Sequence, residues 1–159
     1  MESSSPAHVL VVIHHTGVTA ALLEAVRGRV EQGHAWFHVL APDPTPPHWR
    51  AGSAEHRASV AAAERALDDD VDTLEAAARH PTDGSVSVRR DPMDAIEEAL
   101  YDGDFDEIIL STRRADVLAR MHMDLPRRVA HLGLPVTAVL AAPEPSRPPA
   151  RTRRRLIAH

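Results

Sequence analysis

Apolar residues along the chain fall into short continuous runs separated by longer segments with helical spacing. Four runs are rich in β-branched or large aliphatic residues and predict strands: HVLVVIH (8–14), AWFHVLA (35–41), DEIILS (106–111) and PVTAVLA (135–141). A further run, SVSVR (85–89), alternates apolar and polar residues, as a strand exposed on one face does. The pattern therefore predicts five strands.

The segments between these runs place apolar residues three and four positions apart, which predicts helices. One helix start is well marked, because Asp91 can cap it, Pro92 suits the first helical position and Asp94 lies in the first turn. Residues 113–123 are predicted to be irregular or loosely helical. Four helices are predicted. The first carries Leu22, Leu23, Val26 and Val30 and ends at Gly33, and the other three cover about 53–80, 92–103 and 124–133.

Strict alternation of strands and helices predicts a parallel sheet covered on both faces. The most continuous apolar runs, at 9–13 and 107–110, belong at the centre of the sheet, and 85–89 belongs at an edge. The predicted fold is a three-layer α/β/α sandwich with a five-stranded parallel sheet of order 3-2-1-4-5. The strand order reverses between strands 1 and 4, so the crevice above their carboxyl ends is the expected ligand site.

The length of 159 residues suits one domain, and we expect it to cover 8–142, between a disordered 1–7 and a flexible Pro/Arg-rich tail at 143–159. The chain has no cysteine, which excludes disulfides, thiol catalysis and cysteine metal sites. It shows neither a basic apolar leader nor an apolar run near 18 residues. We therefore expect a cytoplasmic protein without membrane partners.

Charge is distributed unevenly along the chain. Residues 146–159 contain five arginines and no acid, whereas the other 145 residues carry a net charge of −10. An acidic body does not attract nucleic acid in general, so no specific nucleic-acid partner is expected. The arginine-rich tail is interpreted as a solvated terminus that can contact an acidic partner.

The order of elements, the strand DEIILST with its following loop and helix, and the final LGLPVTAVLA resemble the universal stress protein family. The resemblance covers about residues 8–142. It is strongest to small actinobacterial members with a similar ST…DLPRRVA…LGLPVT pattern. It implies the fold described above, and it implies a homodimer formed through the last strand, at residues 135–141.

The chain departs from the nucleotide-binding branch of that family. In that branch, a motif of Gly, two residues, Gly, nine residues, Gly and then Ser or Thr follows strand 4. The matching positions here are Ser111, Arg114, Asp124 and Leu125, and none of them fits the motif. The family's Asp after strand 1 is replaced by His14. ATP or AMP is therefore not expected as a cofactor.

The candidate ligand site consists of residues at the carboxyl ends of strands 1 and 4. Its imidazoles, hydroxyls and guanidiniums favour a small anion with one charged group. An alternative is that the two arginines are merely solvated. The candidate residues are His14, His15, Thr16, Ser111, Thr112, Arg113 and Arg114.

Other patterns carry less chemistry. No metal site is expected, because no two histidines are spaced as HxxxH on a predicted helix. Ser111 lacks the G-x-S-x-G elbow of a nucleophile. Asp68–Asp70 is interpreted as a solvated helix face, and Trp36, which alternates with His34 and His38, as a packing residue.

Two functions remain open at this point. The first is a non-enzymatic stress-associated domain that binds a small ligand or a partner protein as a homodimer. The second is a small nucleotide- or phosphate-binding enzyme of the adenine-nucleotide hydrolase-like superfold. The missing glycine motif and the missing acid–base group favour the first, so no catalytic residue is assigned.

Overall fold

A computed structural model describes residues 5–14, 17–113 and 125–141. Residues 114–123 of the predicted irregular segment, most of the predicted disordered N-terminus and the arginine-rich tail lie outside these ranges, whereas Arg113 belongs to a strand. The described residues confirm the predicted fold. All five strands are parallel, and their order is β3-β2-β1-β4-β5.

Within the described ranges, strands and helices alternate along the chain. The strands are β1 (Ala7–Ile13), β2 (Ala35–Ala41), β3 (Thr82–Val86), β4 (Glu107–Arg113) and β5 (Val136–Ala141). The helices are α1 (Ala20–Glu31), α2 (Ala54–Ala78), α3 (Pro92–Asp102) and α4 (Leu125–Ala130).

The sheet buries a separate apolar cluster on each face. Alternate residues of β1 point to opposite faces, so Val9 and Val11 meet α1 and α2, while Leu10 and Val12 meet α3 and α4. These four side chains are fully buried, as expected for the central strand of a parallel sheet.

Side-chain caps fix where the helices begin. Asp91 accepts hydrogen bonds from the backbone N–H groups of Met93 and Asp94, at 2.8 and 3.3 Å, as its sequence context predicts. Ser53 caps α2 by accepting from His56 N at 3.1 Å, and Thr19 caps α1 in the same way. The helix starts therefore follow from short polar side chains that the sequence displays.

The third strand runs from Thr82 to Val86. The predicted bounds of 85–89 were therefore wrong, since the strand begins and ends three residues earlier. Gly84 accounts for part of the difference. A Cβ at this position would lie 2.8 Å from Val71 Cγ2 and 3.0 Å from Val39 O, so only glycine lets β3 approach α2 this closely. The alternation of apolar and polar residues in SVSVR does not reveal this contact between Gly84 and α2.

Helices α3 and α4 cover one face of the sheet, but they leave part of that face uncovered near β2 and β3. Trp36 is 52% exposed there and stacks on His8, with ring centroids 5.3 Å apart, so its interpretation as a packing residue was only partly right. Val88 is also exposed beside this region. In the described ranges, no helix combines the length and apolar composition needed to cross a membrane.

Candidate functional site

The carboxyl ends of β1 and β4 lie side by side, as the strand order requires. His14 N donates to Ser111 O at 3.0 Å, and both residues are buried. Thr112 is 2% exposed, and Arg113, at the end of β4, is exposed. Four of the seven predicted site residues are thus placed at this junction. The other three, His15, Thr16 and Arg114, lie outside the described residues.

The two hydroxyls of this junction point to opposite faces of the sheet. Ser111 alternates with Thr112, which shares the side of Leu110 and therefore faces the α3–α4 layer. Thr112 Oγ1 is buried without a hydrogen-bond partner among the described residues. Because buried hydroxyls in proteins are normally hydrogen-bonded, we expect a polar partner for Thr112 beyond the described residues.

A cavity of about 190 Å³ opens beside the junction, at the carboxyl ends of β1 and β2 and against α2. Two acidic residues, Asp43 and Asp70, contribute to its wall together with Arg90. The remaining wall includes His14, Gly17 and small or apolar residues of α2. This cavity, called the crevice below, is shifted toward β2 from the site predicted above strands 1 and 4. Of the predicted site residues that the structure describes, only His14 lines it, and acidic side chains that were not predicted line part of it.

Asp43 follows β2 and is almost completely buried. Its Oδ1 accepts from Thr45 N at 2.9 Å, and its Oδ2 lies 3.0 Å from His56 Nε2. Burial acts to raise the pKa of Asp43, but the hydrogen bonds from Thr45 and His56 outweigh burial and lower the pKa below its ordinary value. A buried negative charge is therefore held at the rim of the cavity.

His56 is held in one tautomer by its two partners. Gly52 N–H donates to His56 Nδ1 at 3.2 Å, so the ring proton lies on Nε2 and is donated to Asp43. Both ring nitrogens are occupied by the protein itself. This Asp–His pair therefore organises the loop after β2 and has no nitrogen left to act as a base.

Arg90 holds the same loop from the opposite side. Its Nε donates to Thr45 Oγ1 at 3.0 Å, and its two terminal nitrogens donate to Pro47 O at 3.1 Å and Trp49 O at 3.0 Å. A planar guanidinium can reach three acceptors at once, which an ammonium group does less well. The proline-rich loop thus has a defined shape although it contains no regular structure.

Asp70 is partly buried, so the interpretation of Asp68–Asp70 as a solvated helix face was wrong for this residue. Burial raises the pKa of the Asp70 carboxyl, while the backbone N–H of Val18 acts against this effect and Asp69 adds to it. Asp70 therefore points back toward the turn after β1, and only its neighbours on α2 match the solvated interpretation.

Sequence reasoning missed Asp43, Asp70 and Arg90. Asp43 lies in a proline-rich loop, which signals an interruption of structure but not a buried acid. Arg90 follows a second arginine, and nothing in the sequence distinguishes the two. Within the part of the chain that the structure describes, no three His, Asp or Glu side chains gather as a metal site.

No protein-family model matches the chain, and no curated protein matches it. Solved structures that are similar to it in fold include the following two. A universal stress protein from Archaeoglobus fulgidus shares 15% identity at a TM-score of 0.55, over 84% of this chain and 93% of its own. The hypothetical protein PH0823 shares 17% identity at a TM-score of 0.52, over 86% and 97%. The chain therefore has the universal stress protein fold.

Proposed function

We propose that this chain is a divergent, actinobacterial-type universal stress protein domain whose crevice binds a small ligand without transforming it. The observation that carries the proposal is the cavity of about 190 Å³ at the carboxyl ends of β1 and β2, with Asp43 and Asp70 in its wall. Crevices at this end of a parallel sheet are where doubly wound proteins bind ligands. We place the protein in the cytoplasm.

Charge and size both argue against a nucleoside triphosphate in this crevice. Two carboxylates repel a polyanion, and the donors of Arg90 are directed at Thr45 and two loop carbonyls. The cavity is also smaller than the roughly 300 Å³ at which typical ligand pockets begin. A small ligand with at most one anionic group is compatible with the volume and the charge of this wall.

Binding is favoured over chemistry at this site by the state of its polar groups. The two ring nitrogens of His56 are occupied by Gly52 and Asp43, and Ser111 is completely buried. A nucleophile needs access to its substrate and a base within hydrogen-bond reach. The alternative of a small phosphate-binding enzyme therefore receives less support from this crevice.

Calorimetry with Mg-ATP is expected to show no binding at micromolar affinity, which corresponds to about −8 kcal/mol. The physical reason is the combination of acidic wall, small volume and side chains at the glycine positions of the motif. Inorganic phosphate in a thermal-shift assay serves as the comparison for a single anionic group. A clear micromolar isotherm with Mg-ATP would show that the crevice has a working triphosphate site.

We also propose a homodimer that forms through β5, the apolar edge of the sheet. Leu140 is 51% exposed and Ala138 is exposed beside it, whereas Val139 packs on the opposite face against α1. Among the described residues no strand pairs with the outer side of β5, and an apolar edge strand of this kind is a template for pairing with a second chain. The arginine-rich tail begins soon after this strand and is proposed to contact an acidic partner.

The variant Leu140→Glu is expected to be monomeric in light scattering at concentrations where the wild type is dimeric, because a charge would be buried in the interface. Val139 is unsuitable for this test, since a charge there would enter the core. Val88→Glu is the matched control, because Val88 is exposed near the opposite edge of the sheet. A monomeric wild type at high micromolar concentration would contradict the proposal.

A further inference from the structure

A hydrogen-bonded Asp–His–Ser series lies on β2 and β3, away from the crevice. His38 Nδ1 is 2.8 Å from Asp83 Oδ1, and His38 Nε2 is 3.0 Å from Ser85 Oγ. The sheet register explains the arrangement, because His38 pairs with Asp83 and Leu40 pairs with Ser85. Paired residues in parallel strands share a face, so all three side chains project toward the α3 side.

The partners of His38 define which ring nitrogen carries the proton. An ionised carboxylate only accepts hydrogen bonds, so the proton lies on Nδ1 and is donated to Asp83. In the neutral imidazole, which carries a single ring proton, Nε2 is then unprotonated and accepts the hydroxyl proton of Ser85. This is the tautomer in which a histidine acts as general base toward a serine, and it is the reverse of the tautomer of His56.

The series borders a groove of about 360 Å³ between β3 and α3, which we call the β3 groove. His38 and Ser85 line it, so base and nucleophile both face a space in which a substrate can lie. Phe105 lies beside the imidazole, with ring centroids 6.0 Å apart, and also lines the groove. The groove is also lined by apolar residues (Leu40, Val86, Val88, Ala95 and Ala99) and by the acids Glu98 and Asp102.

The edge position of β3 supplies a donor for a developing oxyanion. Ser87 N donates to Ala41 O, so by the two-residue period of a strand the N–H of Val86 points away from β2 toward the open edge. A backbone N–H directly after the nucleophile is one that acyl-transfer enzymes use to stabilise the oxyanion.

We propose that Ser85 and His38, with Asp83 as a positioning residue, hydrolyse carboxylic esters that carry a small apolar acyl group and bind in the β3 groove. The apolar wall suits such a group, and Glu98 and Asp102 disfavour anionic substrates. This site is separate from the crevice, so the hydrolysis goes beyond the ligand binding proposed there.

The reaction balances without a further reactant besides water. Ser85 Oγ attacks the carbonyl carbon while its proton moves to His38 Nε2. The bond to the alcohol oxygen breaks, and the alcohol leaves with that proton, so an acyl ester remains on Ser85. Water then attacks this ester, gives a proton to Nε2, and the carboxylic acid leaves as Ser85 recovers its proton.

Hydrolysis of p-nitrophenyl acetate by the full chain tests the proposal. We expect saturable turnover in the wild type and a loss of about 100-fold or more in Ser85→Ala and in His38→Gln. Asp83 is largely exposed, so Asp83→Asn is expected to lower kcat by only about tenfold without changing KM. Ser87→Ala is the matched control, because Ser87 directly follows β3 and its hydroxyl accepts from Arg89 N. Turnover that persists in Ser85→Ala would overturn the proposal.

A second measurement decides the case in which this ester does not fit the groove. Because the chain has no cysteine, Ser85→Cys carries a single thiol, whose alkylation by iodoacetamide reports its contact with His38. We expect alkylation about tenfold faster in Ser85→Cys than in Ser85→Cys/His38→Gln, with no such difference for Ser87→Cys. Absent turnover together with equal alkylation rates would overturn the proposal, and circular dichroism confirms that each variant is folded.

Discussion

Replacing Leu110 with alanine is expected to lower the free energy of unfolding by about 3–5 kcal/mol. Leu110 lies in the middle of β4 and is fully buried between the sheet and the α3–α4 layer. Both neighbouring strands continue past it, so the surrounding backbone has little freedom to close the cavity that alanine would leave. The measurement is urea unfolding followed by circular dichroism.

Leu140→Ala is the control for this prediction, because it removes the same atoms from the same face of the neighbouring strand. Leu140 is half exposed in the described chain, so at protein concentrations low enough to keep the chain monomeric the expected change is below about 1 kcal/mol. Similar losses for the two variants would show that the edge strand is as tightly packed as the centre, or that it is covered by a second chain.

Replacing Arg90 with alanine is expected to lower the free energy of unfolding by about 2–3 kcal/mol. The variant removes three hydrogen bonds at once and leaves Thr45 and the Pro47 carbonyl without their donor. Amide hydrogen exchange in the loop at 43–52 is expected to accelerate more than exchange in β1 or β4, because the loop loses its clamp directly.

Arg89→Ala is the matched control, one residue away and with the same change in charge. Arg89 forms an exposed ion pair with Glu98 across 2.6 Å, an interaction of the kind that contributes little in water. Unchanged loop exchange in Arg90→Ala would contradict the assigned role. Arg90→Lys distinguishes charge from shape, since lysine keeps the charge and loses the planar fork.

The sheet order was predictable because burial on both faces leaves a continuous apolar run, and such runs mark β1 and β4 as central. The start of α3 was predictable because Asp91 and Pro92 act on the backbone within one turn. The start of β3 was not predictable, because it depends on the close approach of Gly84 to Val71, a contact between residues of different elements.

The same distinction applies to the sites. The neighbouring ends of β1 and β4 follow from the strand order, and His14 lies beside Ser111 there. The crevice itself lies toward β2 and was not predicted at that place. The acids in its wall come from a loop and from a helix face, and their position depends on how α2 crosses the sheet. Similarly, His38 and Ser85 are 47 residues apart and meet only through the β2–β3 register.

The two edges of the sheet have opposite characters, and this limits how many chains can join. The β3 edge reads TDGSV, with a charge and a glycine at its centre, whereas the β5 edge reads VTAVLA. Two chains that pair through β5 present only their β3 edges outward, and these edges resist the addition of further strands. Assembly of the proposed dimer through the sheet would then stop at two chains and not grow into a fibre, so the polar composition of β3 would keep such a dimer soluble.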